Sequence, residues 1–315
     1  METAAEAALS WPEIVAEANR SDSPSRMNWP NFFVVGAMKA GSTLFYTHLK
    51  RHPEVFLPEF KEIRFFQPEH QDRRHASPDR YRDLYARAGG YKAIGEVTPY
   101  YLPDAEVPAR IHAVVPHAKI IIILRDPVER AYSHFLYYRA VRIGGTSEEP
   151  APTFREALRN YDKISPAQRW QLSREYIEQS FYAEGVRRYF ETFGRDQVLV
   201  LLFEDLAKNP NEVFARVARH IGVDPAFFAK MTIKNDNPYR MPRVAAIRWG
   251  QRLGLSRLLP RSLKQALWPV LFRLRKPQLD TQSLRQLQKL FEPDVTRLEE
   301  LLGRKLPELR KTWMQ

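Results

Sequence analysis

The chain contains no cysteine among its 315 residues. This absence excludes disulfide bonds, thiolate catalysis and any zinc or iron–sulfur site that depends on cysteine ligands. Long hydrophobic runs are also missing, because the longest strongly apolar stretch, residues 119–124, is far shorter than the roughly 20 residues that span a bilayer. Residues 1–30 carry scattered acidic side chains and no apolar run typical of a secretory signal. We therefore expect a soluble intracellular protein, located in the cytoplasm.

Acidic residues are outnumbered by basic ones, with 37 Asp and Glu against 49 Lys and Arg, so the formal net charge is +12. Such a balance favours anionic partners. Much of the excess lies in residues 244–279, which hold eight basic residues and no acidic one. Because the excess positive charge is concentrated in one segment, the charge balance is weak support for nucleic acid as a partner of the whole chain. Leucines repeat at helical spacing in this basic segment, so it fits a lid, a peripheral contact with an anionic membrane, or an ordinary core helix.

Short apolar runs alternate with helical patterns along the chain. This order predicts an α/β sandwich of three layers, in which helices flank a mostly parallel central sheet. The predicted strands are residues 31–35, 93–97, 119–124 and 198–203. A first helix is predicted to begin at Ser42 and to end at His52-Pro53, and the other main predicted helices are residues 128–139, 173–193, 210–221 and 281–303. We assign residues 1–29, with a weak helix at residues 4–18, to an N-terminal extension, and residues 30–315 to a single domain.

Residues 36–43, Gly-Ala-Met-Lys-Ala-Gly-Ser-Thr, stand between the first strand and its helix. Backbone amides in such a turn, together with the helix dipole, form a site for phosphate or sulfate. Gly41 allows close approach of the backbone, Ser42 and Thr43 supply hydroxyl donors, and Lys39 adds a mobile positive charge. The two glycines have the spacing of the P-loop, but the lysine lies within the loop and not at the helix start. The pattern favours an anion site over a tight turn with an exposed lysine.

Three motifs in this order resemble the sulfotransferases that use 3′-phosphoadenosine 5′-phosphosulfate (PAPS), in particular their carbohydrate-type branch. Residues 35–43 are similar to the 5′-phosphosulfate loop, and residues 120–133 to the 3′-phosphate motif. Residues 61–66, Lys-Glu-Ile-Arg-Phe-Phe, are similar to the segment that carries the catalytic carboxylate. The resemblance extends over roughly residues 31–303. It implies a P-loop-like fold, PAPS as the sulfuryl donor, adenosine 3′,5′-bisphosphate as the product, and no metal.

Sulfuryl transfer needs a cation at the leaving phosphate oxygen and a base for the acceptor proton, and the matching residues are Lys39 and Glu62. Many relatives have histidine where this chain has Arg64, which cannot act as a base and so concentrates the prediction on Glu62. The predicted donor-binding residues are Lys39, Ala40, Gly41, Ser42, Thr43, Arg125, Ser133, Tyr182, Arg240 and Arg243.

Some of these residues also fit plainer roles. Arg125 could form an ion pair with a neighbouring carboxylate, and Tyr182 could be a core residue. Arg240 and Arg243 resemble a late basic loop that closes over the 3′-phosphate, although a solvated loop fits them as well. Residues 96–99 resemble a segment that lines the acceptor side in glycan sulfotransferases.

The leading hypothesis is therefore a PAPS-dependent sulfotransferase that moves a sulfuryl group to an acceptor hydroxyl by in-line displacement. The acceptor would be a carbohydrate, a glycolipid or a small natural product, and an amine also fits. A P-loop-type kinase or nucleotide hydrolase is the alternative, which would use Thr43 and Asp126 to hold magnesium. A non-catalytic polyanion-binding protein is the third hypothesis, but it leaves the coexistence of the three motifs without a reason.

Overall fold

The computed structural model describes residues 11–18, 28–67, 78–141, 153–163, 175–233, 241–242, 272–273 and 276–314. The strands in these ranges are β1 (Phe32–Gly36), β2 (Val55–Phe56), β3 (Ala93–Val97), β4 (Lys119–Leu124), β5 (Val198–Leu202), β6 (Met241–Pro242) and β7 (Phe272–Arg273). The helices are α1 (Trp11–Ala18), α2 (Ser42–Leu49), α3 (Pro78–Tyr85), α4 (Val107–Val114), α5 (Pro127–Val141), α6 (Phe154–Asp162), α7 (Glu175–Glu178), α8 (Ala183–Phe193), α9 (Phe203–Lys208), α10 (Pro210–Ile221), α11 (Ala226–Ala229) and α12 (Thr281–Leu302). Two 3₁₀ helices cover Arg195–Gln197 and Pro307–Met314.

Five parallel strands form the central sheet in the order β2-β3-β1-β4-β5, and helices flank it. The sheet is buried because its strands are almost wholly apolar: β4 reads Lys-Ile-Ile-Ile-Ile-Leu, and all but Lys119 are buried. Such unbroken apolar strands are typical of parallel sheets covered on both faces. β3 approaches β1 closely at Gly95, where a Cβ atom would lie 2.1 Å from the Phe32 ring. The predicted α/β class with a parallel sheet is confirmed.

The strand order changes direction at β1. β2 and β3, which follow β1 in sequence, lie on one side of it, whereas β4 pairs with its other side. Ligands of open parallel sheets bind at the carboxyl ends of the strands beside such a reversal. The loop after β1 and the residues after β4 lie at this edge.

The predicted continuous helix over residues 173–193 is wrong, since α7 ends at Glu178 and α8 begins at Ala183. The break has a local cause. The main-chain N–H of Tyr182 donates to Oδ2 of Asp294 at 2.6 Å, and that of Ala183 to the same atom at 3.2 Å. A carboxylate that accepts the first amides starts a new helix there.

The contacts divide the chain into two compact units. The first comprises residues 1–126, 181–234 and 294–310 and holds the five-stranded sheet. The second comprises residues 127–180, 235–293 and 311–315 and holds α5, α6 and the antiparallel pair of β6 and β7. The predicted boundaries at residues 29 and 30 stay a prediction. Among the described residues, none of the helices combines the length and apolar character needed to cross a membrane.

Candidate active site

The loop between β1 and α2, residues 37–43 with the first turn of the helix, is named here the donor loop. Gly41 has a φ of 98°, in the left-handed region that glycine adopts without steric cost. α2 begins at Ser42, and its N-cap residue, Gly41, has no side chain that could cap the helix. The first N–H groups of a helix lack intrahelical acceptors and lie at the positive end of its dipole, so they can bind an anion. Ala40 and Ser42 are buried, whereas Lys39 and Thr43 are half-buried.

Arg125 follows β4 directly and contacts the donor loop. Its Nη1 donates to the main-chain oxygen of Lys39 at 3.0 Å. Its guanidinium lies 4.8 Å from the centre of the Phe203 ring, and a Cβ atom on Gly41 would lie 3.2 Å from that same ring. The hydroxyl of Tyr182, a fully buried residue, donates to the main-chain oxygen of Arg125 at 2.9 Å. The structure thus brings Arg125 and Tyr182, two predicted donor-binding residues, together beside the donor loop.

The remaining predicted donor-binding residues are placed differently. Ser133 lies on α5 in the second unit and is half-buried. Arg240 and Arg243 lie outside the described residues, as does most of the basic segment 244–279. Within that segment Lys276 is described, and its Nζ pairs with Glu129 at 2.6 Å. The roles assigned to Ser133, Arg240 and Arg243 stay predictions.

Glu62 lies in a second loop, residues 61–67, named here the base loop. Its N–H donates to the main-chain oxygen of Val97 at 2.9 Å, which attaches the loop to the end of β3. Glu62 has a φ of 67° and Arg64 a φ of 61°, in a region that side chains other than glycine adopt at a cost. The Glu62 carboxylate pairs with Lys61, and 31% of its side chain is exposed. Part of the Glu62 side chain is therefore accessible from solvent.

The Arg64 cation is engaged by residues near it. Its Nε donates to Oε1 of Gln67 at 3.1 Å, and its guanidinium lies 4.3 Å from the centre of the Tyr100 ring. Gln67 in turn donates to the main-chain oxygen of Tyr100 at 3.2 Å and to Asp104 at 2.8 Å. These contacts fix the end of the base loop to the chain that follows β3.

A buried carboxylate lies behind the base loop. Glu96 is fully buried and accepts hydrogen bonds from the hydroxyls of Tyr81 at 2.6 Å, Thr98 at 2.7 Å and Tyr101 at 2.6 Å. Burial raises the pKa of Glu96, and the three hydroxyl bonds lower it in part. The expectation that residues 96–99 line the acceptor side is wrong for Glu96 and Thr98, which are fully enclosed. An acidic residue inside an otherwise apolar strand was the signal for this site.

A second carboxylate that sequence reasoning missed lies beside Arg125. Oε1 of Glu204 accepts the main-chain N–H of Asp126 at 3.2 Å, and burial raises the pKa of Glu204. Its sequence signal is weak, because one acidic residue after a strand is usually solvated.

Three neighbouring strands therefore carry the predicted chemistry. β1 leads into the donor loop with Lys39, the end of β3 binds the main chain of Glu62, and β4 leads into Arg125. β1 pairs with both of the others. A cation, a carboxylate and a guanidinium consequently lie on loops that start from, or are attached to, the carboxyl edge of one sheet.

The known proteins that this chain resembles are sulfotransferases. Residues 84–227 match the model of the Sulfotransferase family. Over 212 residues the chain is 30% identical to the mouse (Mus musculus) bifunctional heparan sulfate N-deacetylase/N-sulfotransferase 4, an alignment that covers 63% of this chain and 23% of that protein. Over 106 residues it is 34% identical to the membrane-associated sulfotransferase kil1 of Dictyostelium discoideum, which covers 34% of this chain and 22% of that one. The chain thus spans about a quarter of the length of these curated relatives.

A solved structure also matches over almost its whole length. The crystal structure of a sulfotransferase from Alicyclobacillus acidocaldarius shares 27% identity and a TM-score of 0.67, with 90% of this chain and 99% of that one covered. Arg125 and Ser133 lie inside the residues matched by the family model, whereas Lys39 and Glu62 precede them.

Proposed function

We propose that this chain, which matches the Sulfotransferase family model over residues 84–227, transfers a sulfuryl group from PAPS to an acceptor on a carbohydrate. One observation carries this proposal: the donor loop, the base loop and Arg125 are all held at the carboxyl edge of three adjacent strands. A kinase-like use of the same loop receives no such support, since the lysine lies before Gly41 and not at the start of α2.

The residues at this edge fit both ends of the proposed donor. The uncapped start of α2 and the half-buried Thr43 suit the 5′-phosphosulfate, which is anionic and accepts hydrogen bonds. Arg125 offers a planar set of N–H donors for the 3′-phosphate, and its position is set by Phe203 and Tyr182.

The proposed reaction balances with one bond formed and one bond broken. The acceptor oxygen or nitrogen forms a bond to sulfur while the sulfur–oxygen bond of the phosphosulfate breaks, and that electron pair stays on the leaving phosphate. Glu62 takes the acceptor proton, because its partly exposed carboxylate is the one that the base loop presents. Lys39 stabilises the negative charge that grows on the leaving oxygen.

The names of the relatives support the proposed acceptor class. The mouse relative is named for N-sulfotransfer on heparan sulfate, which supports a sugar polymer or glycolipid as acceptor. The sequence favours a hydroxyl as the acceptor group, whereas the name of that relative favours an amine, so the experiment tests both groups.

The name of the Dictyostelium relative supports peripheral membrane contact, for which we propose the basic segment 244–279. We propose the cytoplasm as the location.

Two measurements test the proposal. Calorimetry should detect binding of adenosine 3′,5′-bisphosphate and much weaker binding of ADP and of ATP with magnesium. Label from ³⁵S-PAPS should then appear on N-desulfated heparin if an amine is sulfated, or on fully desulfated, N-acetylated heparin if a hydroxyl is sulfated. Tight binding of magnesium–ATP with none of the bisphosphate would overturn the proposal. Transfer to neither heparin, with bisphosphate binding intact, would overturn the carbohydrate acceptor alone.

A further inference from the structure

We infer that Glu96 is a positioning residue for Glu62, and that it acts through Tyr81 and Tyr101 on the base loop. The inference rests on the proposed role of Glu62 as the base. Glu96, Tyr81, Thr98 and Tyr101 are named here the hydroxyl cluster.

The hydroxyl cluster is a closed polar group inside the apolar core. Oε1 of Glu96 accepts from both Thr98 and Tyr101, and Oε2 accepts from Tyr81. All four residues are fully buried, so these bonds form without competition from water. A carboxylate with three hydroxyl donors fixes the direction in which each hydroxyl points.

Both tyrosines of the cluster also contact the base loop. The Tyr101 hydroxyl accepts the main-chain N–H of Phe66 at 3.2 Å while it donates to Glu96. The Tyr81 ring stacks on the Phe65 ring, with 4.0 Å between centres and an angle of 15° between planes. Both tyrosines therefore bind Glu96 through their hydroxyls. Tyr101 also binds Phe66 through its hydroxyl, and Tyr81 packs on Phe65 through its ring.

The base loop needs this support because its backbone is strained. Glu62 and Arg64 both have positive φ values, which a loop retains only when the surrounding structure holds it. The strand that contains Glu96 also supplies the Val97 oxygen that binds the N–H of Glu62. The two ends of the base loop, at Glu62 and at Phe66, are thus tied to adjacent residues of β3, one directly and one through Tyr101.

Glu96→Gln tests this link with little change in the shape of the side chain. An amide has one oxygen in place of two, so at least one hydroxyl loses its acceptor and turns. Tyr101→Phe is the second variant, because it removes the bond to Phe66 and keeps the ring. Tyr189→Phe is the matched control: Tyr189 is also fully buried, and its hydroxyl donates to the main-chain oxygen of Tyr101 at 3.3 Å.

The first measurement is hydrogen exchange of the peptide that contains residues 62–67, followed by mass spectrometry. Glu96→Gln and Tyr101→Phe should increase its exchange, whereas Tyr189→Phe should not. Turnover is measured with ³⁵S-PAPS and the two desulfated heparins as probes. We expect kcat to fall roughly 10- to 100-fold in both test variants, the range that follows from a small misplacement of a catalytic group. KM for PAPS and the affinity for adenosine 3′,5′-bisphosphate should stay within about twofold, because the donor loop is untouched.

A double-mutant cycle separates positioning from a general structural role. In a Glu62→Gln background, Glu96→Gln should lower the residual turnover by less than about twofold, since the group that it positions is gone. The same factor in both backgrounds, or unchanged exchange of residues 62–67, would overturn the inference alone. Near-normal turnover of Glu62→Gln by itself would overturn the base assignment and, with it, this inference. If Glu96→Gln does not fold, the same exchange and turnover measurements on Tyr101→Phe test the inference.

Discussion

The donor loop and the base loop reach the same edge of the sheet by different means. The donor loop is held locally: it follows β1, turns at Gly41 and continues into α2, with Arg125 bonded to its backbone. The base loop is held from a distance, by the end of β3 and by the hydroxyl cluster. A strand–turn–helix sequence can specify the first by itself, whereas the second depends on packing by residues far along the chain.

The base loop has further support from the predicted N-terminal extension. The Trp11 ring on α1 lies 6.0 Å from the Phe65 ring and 5.5 Å from the Phe66 ring. Arg110 donates to the main-chain oxygen of Phe66 at 3.0 Å and lies 5.9 Å from the Trp11 ring. The loop that carries Glu62 is therefore enclosed by aromatic rings on its apolar side.

Glu62→Gln should give the largest effect and should affect one loop only. Loss of a general base typically lowers turnover by about 10²- to 10⁴-fold. Affinity for adenosine 3′,5′-bisphosphate, measured by calorimetry, should not change, because the donor loop is intact. Glu59→Gln, an exposed carboxylate near the base loop, is the control and should match the wild type in both measurements. Turnover of Glu62→Gln within about twofold of the wild type would show that the base lies elsewhere.

Lys39→Ala should come next, with kcat for PAPS lowered by roughly 100- to 1000-fold through loss of charge stabilisation in the transition state. Lys39→Arg keeps the charge and should recover part of the rate. If Lys39→Ala instead weakens binding of the bisphosphate as much as it lowers kcat, Lys39 binds the ground state, and the division of roles between the two loops fails.

Arg125→Ala should act mainly on binding. A guanidinium–phosphate contact is a charge-assisted hydrogen bond, and its removal should raise the Kd for adenosine 3′,5′-bisphosphate roughly 10- to 100-fold. Calorimetry measures this directly. Arg219→Ala is the control, since Arg219 is exposed on α10 and pairs with Glu212 at 3.0 Å. An unchanged Kd for Arg125→Ala would remove Arg125 from the donor side.

Asp280→Ala should give the smallest effect and should touch neither loop. Asp280 accepts from the N–H and hydroxyl of Ser283 at the start of α12 and from Arg155, so its loss should cost about 1 kcal/mol of unfolding free energy. Burial raises the pKa of Asp280, but the bonds from Ser283 and Arg155 outweigh it and lower the pKa from 3.8 to about 2.

A lowered pKa stabilises the fold above the unfolded value of 3.8, and this contribution is lost as the pH falls towards about 2. Urea unfolding of the wild type and of Asp280→Asn should therefore differ at pH 6, and the difference should narrow as the pH falls from 3.8 towards about 2. Bisphosphate affinity should be equal in the two proteins. A gap that stays constant with pH would show that the charge of Asp280 does not matter.

Much of the sheet could be predicted because its strands are unbroken apolar runs. The bounds of β3 and β4 agree with the predicted ones, as do those of α10, which Pro210 begins and Gly222 follows. β2 was missed because it has two residues. α4 was missed because Pro108 at its start and Pro116 after its end look like a loop in isolation.

Some candidate site residues could be predicted from the sequence and others could not, because only the former have surroundings set by the local sequence. Lys39, Gly41 and Arg125 follow from local order, because glycine spacing and a strand end describe their surroundings. The positive φ values of Glu62 and Arg64 leave no trace in residue type, since non-glycine residues rarely adopt them. The role that we propose for Glu96 depends on its bonds with Tyr81 and Tyr101, and no spacing rule pairs a strand carboxylate with two tyrosines from other segments.

The bond between Tyr182 and Asp294 also constrains the order in which the chain can assemble. These residues are separated by 112 positions, so the first emerges from the ribosome well before the second. Until Asp294 is synthesised, the opening amides of α8 lack the carboxylate acceptor that they have in the folded protein. A nascent chain that stops short of that aspartate can form the sheet, yet the tyrosine beside Arg125 would remain loosely anchored. α12 thus supplies the anchor of a tyrosine that contacts Arg125, and both of those residues are translated much earlier than Asp294.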